Sequence, residues 1–173
     1  MIETEKNLPH WYVMRTVANY ERKMKLWIEE RGVETFLPMR SELHKWSDRM
    51  KRVEVVLTPG LIFVRIDLKH RGLLWGESHL RGLMRAPGES VPAPIADDRM
   101  AEFMDVVARV SAISLIPTPL HVGDVVRVLA GPLEGFEGEC LRIEGVNYIM
   151  LRLNHLLSAA VKIPRNYVKK IKG

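Results

Sequence analysis

Two hydrophobic periods alternate along the chain, and the switches between them mark its elements. His10–Thr16 reads HWYVMRT, with Trp11, Val13 and Arg15 on one face and Tyr12 and Met14 on the other, which is the period of a strand. Apolar positions then recur at helical spacing, Tyr20, Met24, Trp27 and Ile28, predicting a helix from Tyr20 that Asn19 caps and Gly32 stops. Strands are expected at Val33–Leu37, Val53–Leu57 and Leu61–Ile66, the last two joined by the turn Thr58-Pro59-Gly60. Leu61-Ile62-Phe63-Val64 is apolar on both faces. It is either a central strand covered on both sides or a strand with one face kept for a partner. A short helical piece around Leu73-Leu74-Trp75 and a strand at Leu83–Arg85 precede the extended Val91-Pro92-Ala93-Pro94-Ile95. Asp97 and Asp98 open a second helix with the stripe Met100, Phe103, Met104 and Val107.

That helix fades near Ser111, and Ser114–Leu120, with Pro117 and Pro119, reads as a linker. The next stretch, Val122–Ile143, is VGDVVRVLAGPLEGFEGECLRI. Val125, Arg127 and Leu129 alternate with Val126, Val128 and Ala130; Gly131, Pro132, Gly135 and Gly138 then punctuate a turn before a returning strand. A phosphate loop would open a helix instead, no Gly-Lys-Ser/Thr follows, and Pro132 removes an amide such a cradle uses. The run is therefore a hairpin of a small β-barrel. Tyr148–Leu153 alternates like a barrel strand, yet Ile149, Leu153, Leu156, Leu157 and Ala160 also fit a helical stripe, so a C-terminal half that changes fold stays open.

Charge adds a second layer. The 173 residues carry 26 Lys and Arg against 21 Asp and Glu, a net +5 that permits a nucleic-acid partner without requiring one. The excess is local: between Arg40 and Arg52 stand Arg40, Lys45, Arg49, Lys51 and Arg52 against Glu42 and Asp48, a hairpin with its tip near Ser47–Asp48. Trp46 beside that tip either stacks on bases or pins the hairpin from beneath. Arg22, Lys23 and Lys25 form the polar face of the first helix. The tail, Lys162, Arg165, Lys169, Lys170 and Lys172, meets no acid after Glu144.

The single Cys140 forms no internal disulfide, in keeping with a reducing, cytoplasmic setting, and it sits in a strand pattern as a small hydrophobe. Met1–Pro9 is charged where a signal peptide is apolar, and no apolar run approaches a membrane span. The six histidines show no metal-ligand spacing and no nucleophile elbow occurs, so neither catalysis nor a cofactor is expected.

Gly123-Asp124, Val126-Arg127-Val128, Gly131-Pro132 and Gly135-Phe136-x-Gly138 resemble the KOW motif of bacterial NusG-type elongation factors and of some ribosomal proteins. Trp11-Tyr12-Val13, Tyr20-Glu21-x-Lys23, Phe36-Leu37-Pro38, Pro59-Gly60-x-x-Phe63-Val64 and Pro92-x-Pro94-Ile95 occur in the order of the NusG N-terminal domain, so the resemblance to the NusG family spans residues 10–171. It implies an α+β protein: an α/β sandwich around a small antiparallel sheet (1–112), a linker (113–120) and an SH3-like five-stranded barrel (121–173). It also implies a transcription elongation or antitermination factor that binds the clamp helices of RNA polymerase and favours processive transcription. Carried over by position, Leu61 and Phe63 line the clamp-helix pocket, and Arg71–Trp75, with Leu73, Leu74 and Trp75, faces the opposite wall of the DNA cleft. Lys23, Arg49, Lys51 and Arg52 are expected nearest the non-template DNA strand or nascent RNA.

Where the general factor's barrel carries Phe-Gly-Arg-x-Thr-Pro, this chain has His155-Leu156-Leu157-Ser158-Ala159-Ala160. His155, Leu156 and Leu157 are therefore the expected partner contact of the barrel, a ribosomal protein being one candidate, and Rho is not expected to bind in the general factor's way. The substitution resembles specialised antitermination paralogues such as RfaH and the UpxY regulators of capsular polysaccharide operons. The competing class is a KOW-type RNA-binding or ribosome-associated protein that makes no polymerase contact.

Overall fold

The computed structural model describes residues 8–119, 121 and 123–172, and it divides between Pro94 and Ile95 into two compact units. The charged N-terminus, residues 1–7, therefore lies outside the described residues, as do Leu120 at the end of the expected linker and Val122 at the head of the barrel motif.

The first unit is built on β1 (His10–Thr16), which runs antiparallel to β5 (Leu61–Ile66), with β2 (Glu34–Phe36) and β6 (Leu80–Leu83) on the outer positions in the order β2-β5-β1-β6. β1 and β5 are central, so both of their faces are apolar. Tyr12, Met14, Ile62, Val64 and Ile66 pack with Met24 and Ile28 of helix α1 (Glu21–Glu29). Trp11, Val13 and Phe63 fill the opposite face, with the Phe36 ring 6.3 Å from that of Phe63. Of the two readings of Leu61–Val64, the structure selects the doubly covered strand: Ile62, Phe63 and Val64 are 0% exposed.

Asn19 does not cap α1. It occupies the left-handed region at φ 70°, and the helix begins at Glu21 after Tyr20, which makes no side-chain cap. The stop at Gly32, φ +75°, is as the sequence indicates. The basic stretch is the hairpin β3 (Met39–Lys45) and β4 (Met50–Val56), a separate two-stranded sheet.

The second unit opens with α2 (Asp97–Arg109), which buries Met100, Phe103, Val106 and Val107 and packs on β10 (Val146–Arg152). Its sheet adds β7 (Ser114–Pro117), β8 (Asp124–Val128), β9 (Glu137–Ile143), β11 (Leu157–Lys162) and β12 (Val168–Lys172), in the order β12-β8-β9-β10-β11-β7. Six strands stand where five were expected, because Ser114–Pro117, read as linker, pairs with β11 from Ala160 to Leu157. Leu115 and Ile116 are half-buried there, and Pro117 stands at the strand's end on the sheet edge, where the absence of an amide is tolerated. Arg152 ties the following segment to the sheet through Glu139 and the carbonyls of Pro119 and His121. Of the candidate helical stripe, Ile149, Leu153, Leu157 and Ala160 are buried in strand and turn geometry, and Leu156 is half-buried.

At Gly123 the glycine is a steric requirement. A Cβ there would stand 2.6 Å from the Cys140 carbonyl oxygen, which the strand pairing of β8 with β9 holds in place. Gly123→Ala is therefore expected to destabilise the second unit by about 2 kcal/mol, read as a lower urea midpoint with unchanged slope.

Candidate protein and nucleic-acid interface

Leu68–Leu74 forms a 3-10 helix opened by Asp67, whose Oδ1 accepts a hydrogen bond from the Lys69 amide at 3.0 Å. It closes with the Trp75 amide donating to the Gly72 carbonyl. This turn buries Leu74 and leaves Leu73 45% and Trp75 70% exposed. The expected polymerase contacts thus separate into two groups. Phe63 is sealed in the sheet, Leu74 belongs to the core and Leu61 is half-buried, whereas Leu73 and Trp75 face solvent. Phe63 is a correction: flanked by Val13 on one neighbouring strand and Phe36 on the other and 0% exposed, it serves as core and not as a surface anchor.

Beside Trp75 lies an open groove of about 450 Å³, lined by Arg15 from β1, Arg71 from the 3-10 helix, and Arg81 and Arg85 from β6 and the segment after it. Met14, Leu74, Leu83 and Pro92 supply its apolar surface, and no acidic side chain lines it. None of the four arginines makes an ion pair with another described residue. Sequence reasoning missed Arg15, Arg81 and Arg85. The available signal was LRGLMRAPG, in which two arginines four residues apart flank an apolar pair, but only strand pairing brings Arg15 alongside them.

The hairpin presents a different surface. Its turn is closed by the Trp46 amide donating to the Arg49 carbonyl at 2.8 Å. Trp46 is 56% exposed, with Lys51 Nζ 5.5 Å from its ring centroid, so the indole is not a pin beneath the strands. Arg49, Lys51 and Arg52 are exposed around it, together with Leu43 and Met50. Lys23 lies on α1, near a small cluster that the sequence did not announce. There the Tyr20 ring stacks on His79 at 3.9 Å, and His79 Nδ1 is 2.6 Å from Glu77 Oε1. The hydrogen bond from His79 holds the Glu77 carboxyl below its ordinary range, with Lys23 adding to the effect.

In the second unit the glycine-rich turn is structural. Gly131 adopts φ +85°, and a Cβ there would stand 3.0 Å from the Tyr167 ring, whose own backbone carbonyl accepts a hydrogen bond from the Leu129 amide. Gly135 shares the positive φ, and Asp124 pairs with Lys170 at 2.9 Å. Pro132 is exposed, while Phe136 and Gly138 are half-buried. Of the expected partner contacts, His155 is exposed and Leu156 half-buried. Leu157 is buried, because it starts β11 and pairs with Pro117. Asn154 Oδ1 fixes that turn by accepting the amides of Leu156 and Leu157 at 2.9 Å each. Burial pushes the Cys140 thiol up, with Asp124 adding to it. No metal-ligating cluster occurs among the described residues, and no helix among them is long and apolar enough to cross a membrane.

A small antiparallel sheet with a helix in its core, followed by a glycine-turned sheet, defines an α+β factor of two modules whose exposed chemistry is basic and aromatic. The family model described as transcription termination factor nusG matches residues 9–104, and the chain belongs to the NusG family. It is accordingly a transcription termination/antitermination factor of that family, a class of transcription factors and not of enzymes. Among relatives, the NusG termination/antitermination protein of Lactococcus lactis is 25% identical over 147 aligned positions, 78% of this chain and 78% of that one. That of Streptococcus pyogenes is 23% identical over 163 positions, 87% and 89% of the two chains. The solved NusG of Thermotoga maritima superposes with a TM-score of 0.52 at 21% identity, over 95% of this chain and 98% of that chain, a likeness of fold.

The arrangement predicts the quenching of tryptophan fluorescence. Iodide is expected to quench far more strongly than caesium, because Trp46 and Trp75 are exposed among cations while Trp11 is buried. Trp75→Phe should remove a large part of that difference, and a Trp75→Phe variant with unchanged iodide quenching would contradict the arginine-lined setting.

Proposed function

We propose that this chain binds RNA polymerase through its first unit, at the clamp helices, and promotes processive, terminator-resistant transcription as a specialised, operon-specific member of its family. One observation carries the polymerase contact, on the side expected to face the opposite wall of the DNA cleft: two large apolar side chains, Leu73 and Trp75, stand in solvent on a short 3-10 turn beside an arginine-lined groove. Exposed Trp and Arg beside aliphatic surface is the composition of protein interface centres. The hairpin and α1, with Lys23, Arg49, Lys51 and Arg52, then take the exposed non-template DNA strand. Trp46 offers a stacking face and the cations offer phosphate contacts. Support for specialisation lies in the barrel, where His155–Ala160 replaces the general factor's contact segment and exposes His155 while burying Leu157. Rho is not expected to bind that segment in the general factor's manner, and a ribosomal protein is one candidate partner of the second unit.

Transcription through a terminator, with and without the chain and with Rho present or absent, tests the reading directly. Increased read-through in both settings is the expected result. Trp75→Asp with Leu73→Asp should abolish retention on RNA polymerase with little loss of stability, since both side chains are exposed. Phe63→Asp should instead lower stability by about 3 kcal/mol or more, because it buries a carboxylate in the sheet. Replacing Arg49, Lys51 and Arg52 by Ala should leave polymerase retention in place. The same replacements should flatten the salt dependence of single-stranded DNA binding by about 0.7 in log–log slope for each cation removed.

A further inference from the structure

We infer that the groove bordered by Arg15, Arg71, Arg81 and Arg85 docks an acidic protein segment, one that presents carboxylates around an apolar side chain. Four arginines from separate parts of the first unit line a single groove that contains no acid. No ion pair with another described residue engages these exposed arginines, so all four are available to an incoming anion. All four cations are arginine and none is lysine. The guanidinium fork matches a carboxylate through two parallel hydrogen bonds and is more weakly hydrated than an ammonium group, so it suits a surface that becomes dry on docking.

The floor separates a protein partner from a nucleic acid. The half-buried Leu83, with the buried Leu74, Met14 and Pro92 behind it, lines the groove with apolar groups, which an apolar side chain covers and a phosphodiester strand leaves unused. Trp75 lines the same groove and is 70% exposed, so its indole is available to such a side chain. The hairpin is built otherwise: Lys and Arg are mixed there around a free-standing Trp46, the sequence-tolerant arrangement of a stacking platform. The molecule thus carries two basic surfaces of different chemistry, and the groove is the one that selects carboxylates. That the segment belongs to RNA polymerase rests on the function proposed above; the chemistry of the groove does not.

The test uses the full chain and three fluorescein-labelled probes of equal length: a Glu/Leu peptide of helical spacing, its Gln/Leu counterpart, and oligo(dT). The Glu/Leu peptide should bind and the Gln/Leu peptide should not. Arg81→Gln with Arg85→Gln should weaken Glu/Leu binding about tenfold or more, and the Arg→Lys pair, which keeps charge but loses the fork, should weaken it measurably. Arg49→Ala with Lys51→Ala should leave it unchanged. All these side chains are exposed, so each variant should keep the circular dichroism spectrum and urea midpoint of the parent. Equal binding of the Gln/Leu peptide, no peptide binding, or oligo(dT) binding that depends on Arg81 and Arg85 would each overturn the proposal. Arginine-dependent peptide binding in a chain that RNA polymerase does not retain would uphold the groove and retire the polymerase reading alone.

Discussion

A single buried carboxylate organises the first unit. Glu21, 3% exposed at the first position of α1, accepts the Gly60 amide at 2.7 Å, and the Gly60 carbonyl accepts the Thr16 amide at 2.8 Å. Thr16 in turn donates its hydroxyl to the His79 carbonyl at 2.9 Å. The end of β1, the start of α1, the turn into β5 and the entry to β6 are therefore joined at one place by groups that have left water. A buried carboxylate without such donors would be costly, so the junction holds only in one arrangement. The same arrangement sets β6 and the 3-10 helix beside β1, and with them the arginines and Trp75.

Covering β1 and β5 on both faces has a functional consequence. A central strand has no side chain to spare for a partner, so contact chemistry moves to the periphery: the 3-10 turn, the outer strand β6 and the protruding hairpin. The 3-10 turn exposes Leu73 and Trp75, the hairpin exposes Leu43, Trp46 and Met50, and all three places carry cations. An aromatic or aliphatic group in water beside a guanidinium costs little by itself but offers area and charge together to a partner.

The second unit shows how a local motif can be legible while its surroundings are not. The alternation of Val126 and Val128 inward against Arg127 and Leu129 outward follows from period two alone, and both inward residues are buried. The glycines mark backbone approaches that no side chain permits, as at Gly123. Nothing local announced that Leu115 and Ile116, just ahead of Pro117 and Pro119, would add a strand. The partner that completes it, β11, lies some forty residues further on, as the bond from Thr118 Oγ1 to Ser158 Oγ illustrates.

What the amino-acid order determined by itself was periodic or covalent in origin: the strand at His10–Thr16, the stripe of α1, the helix after Asp97, the barrel hairpin and the basic loop around Trp46. Each rests on a repeat read within about a dozen residues, the range over which backbone geometry sets side-chain direction. Only the tertiary structure decided which apolar residues were spent in the core. Phe63 and Leu74 are buried while Leu73 and Trp75 are not, because burial depends on which strand is central and on where a short helix lands. It alone brought Arg15 to Arg81 and Arg85 across strand pairing, since charges distant in sequence become one site only when the sheet's register places them together.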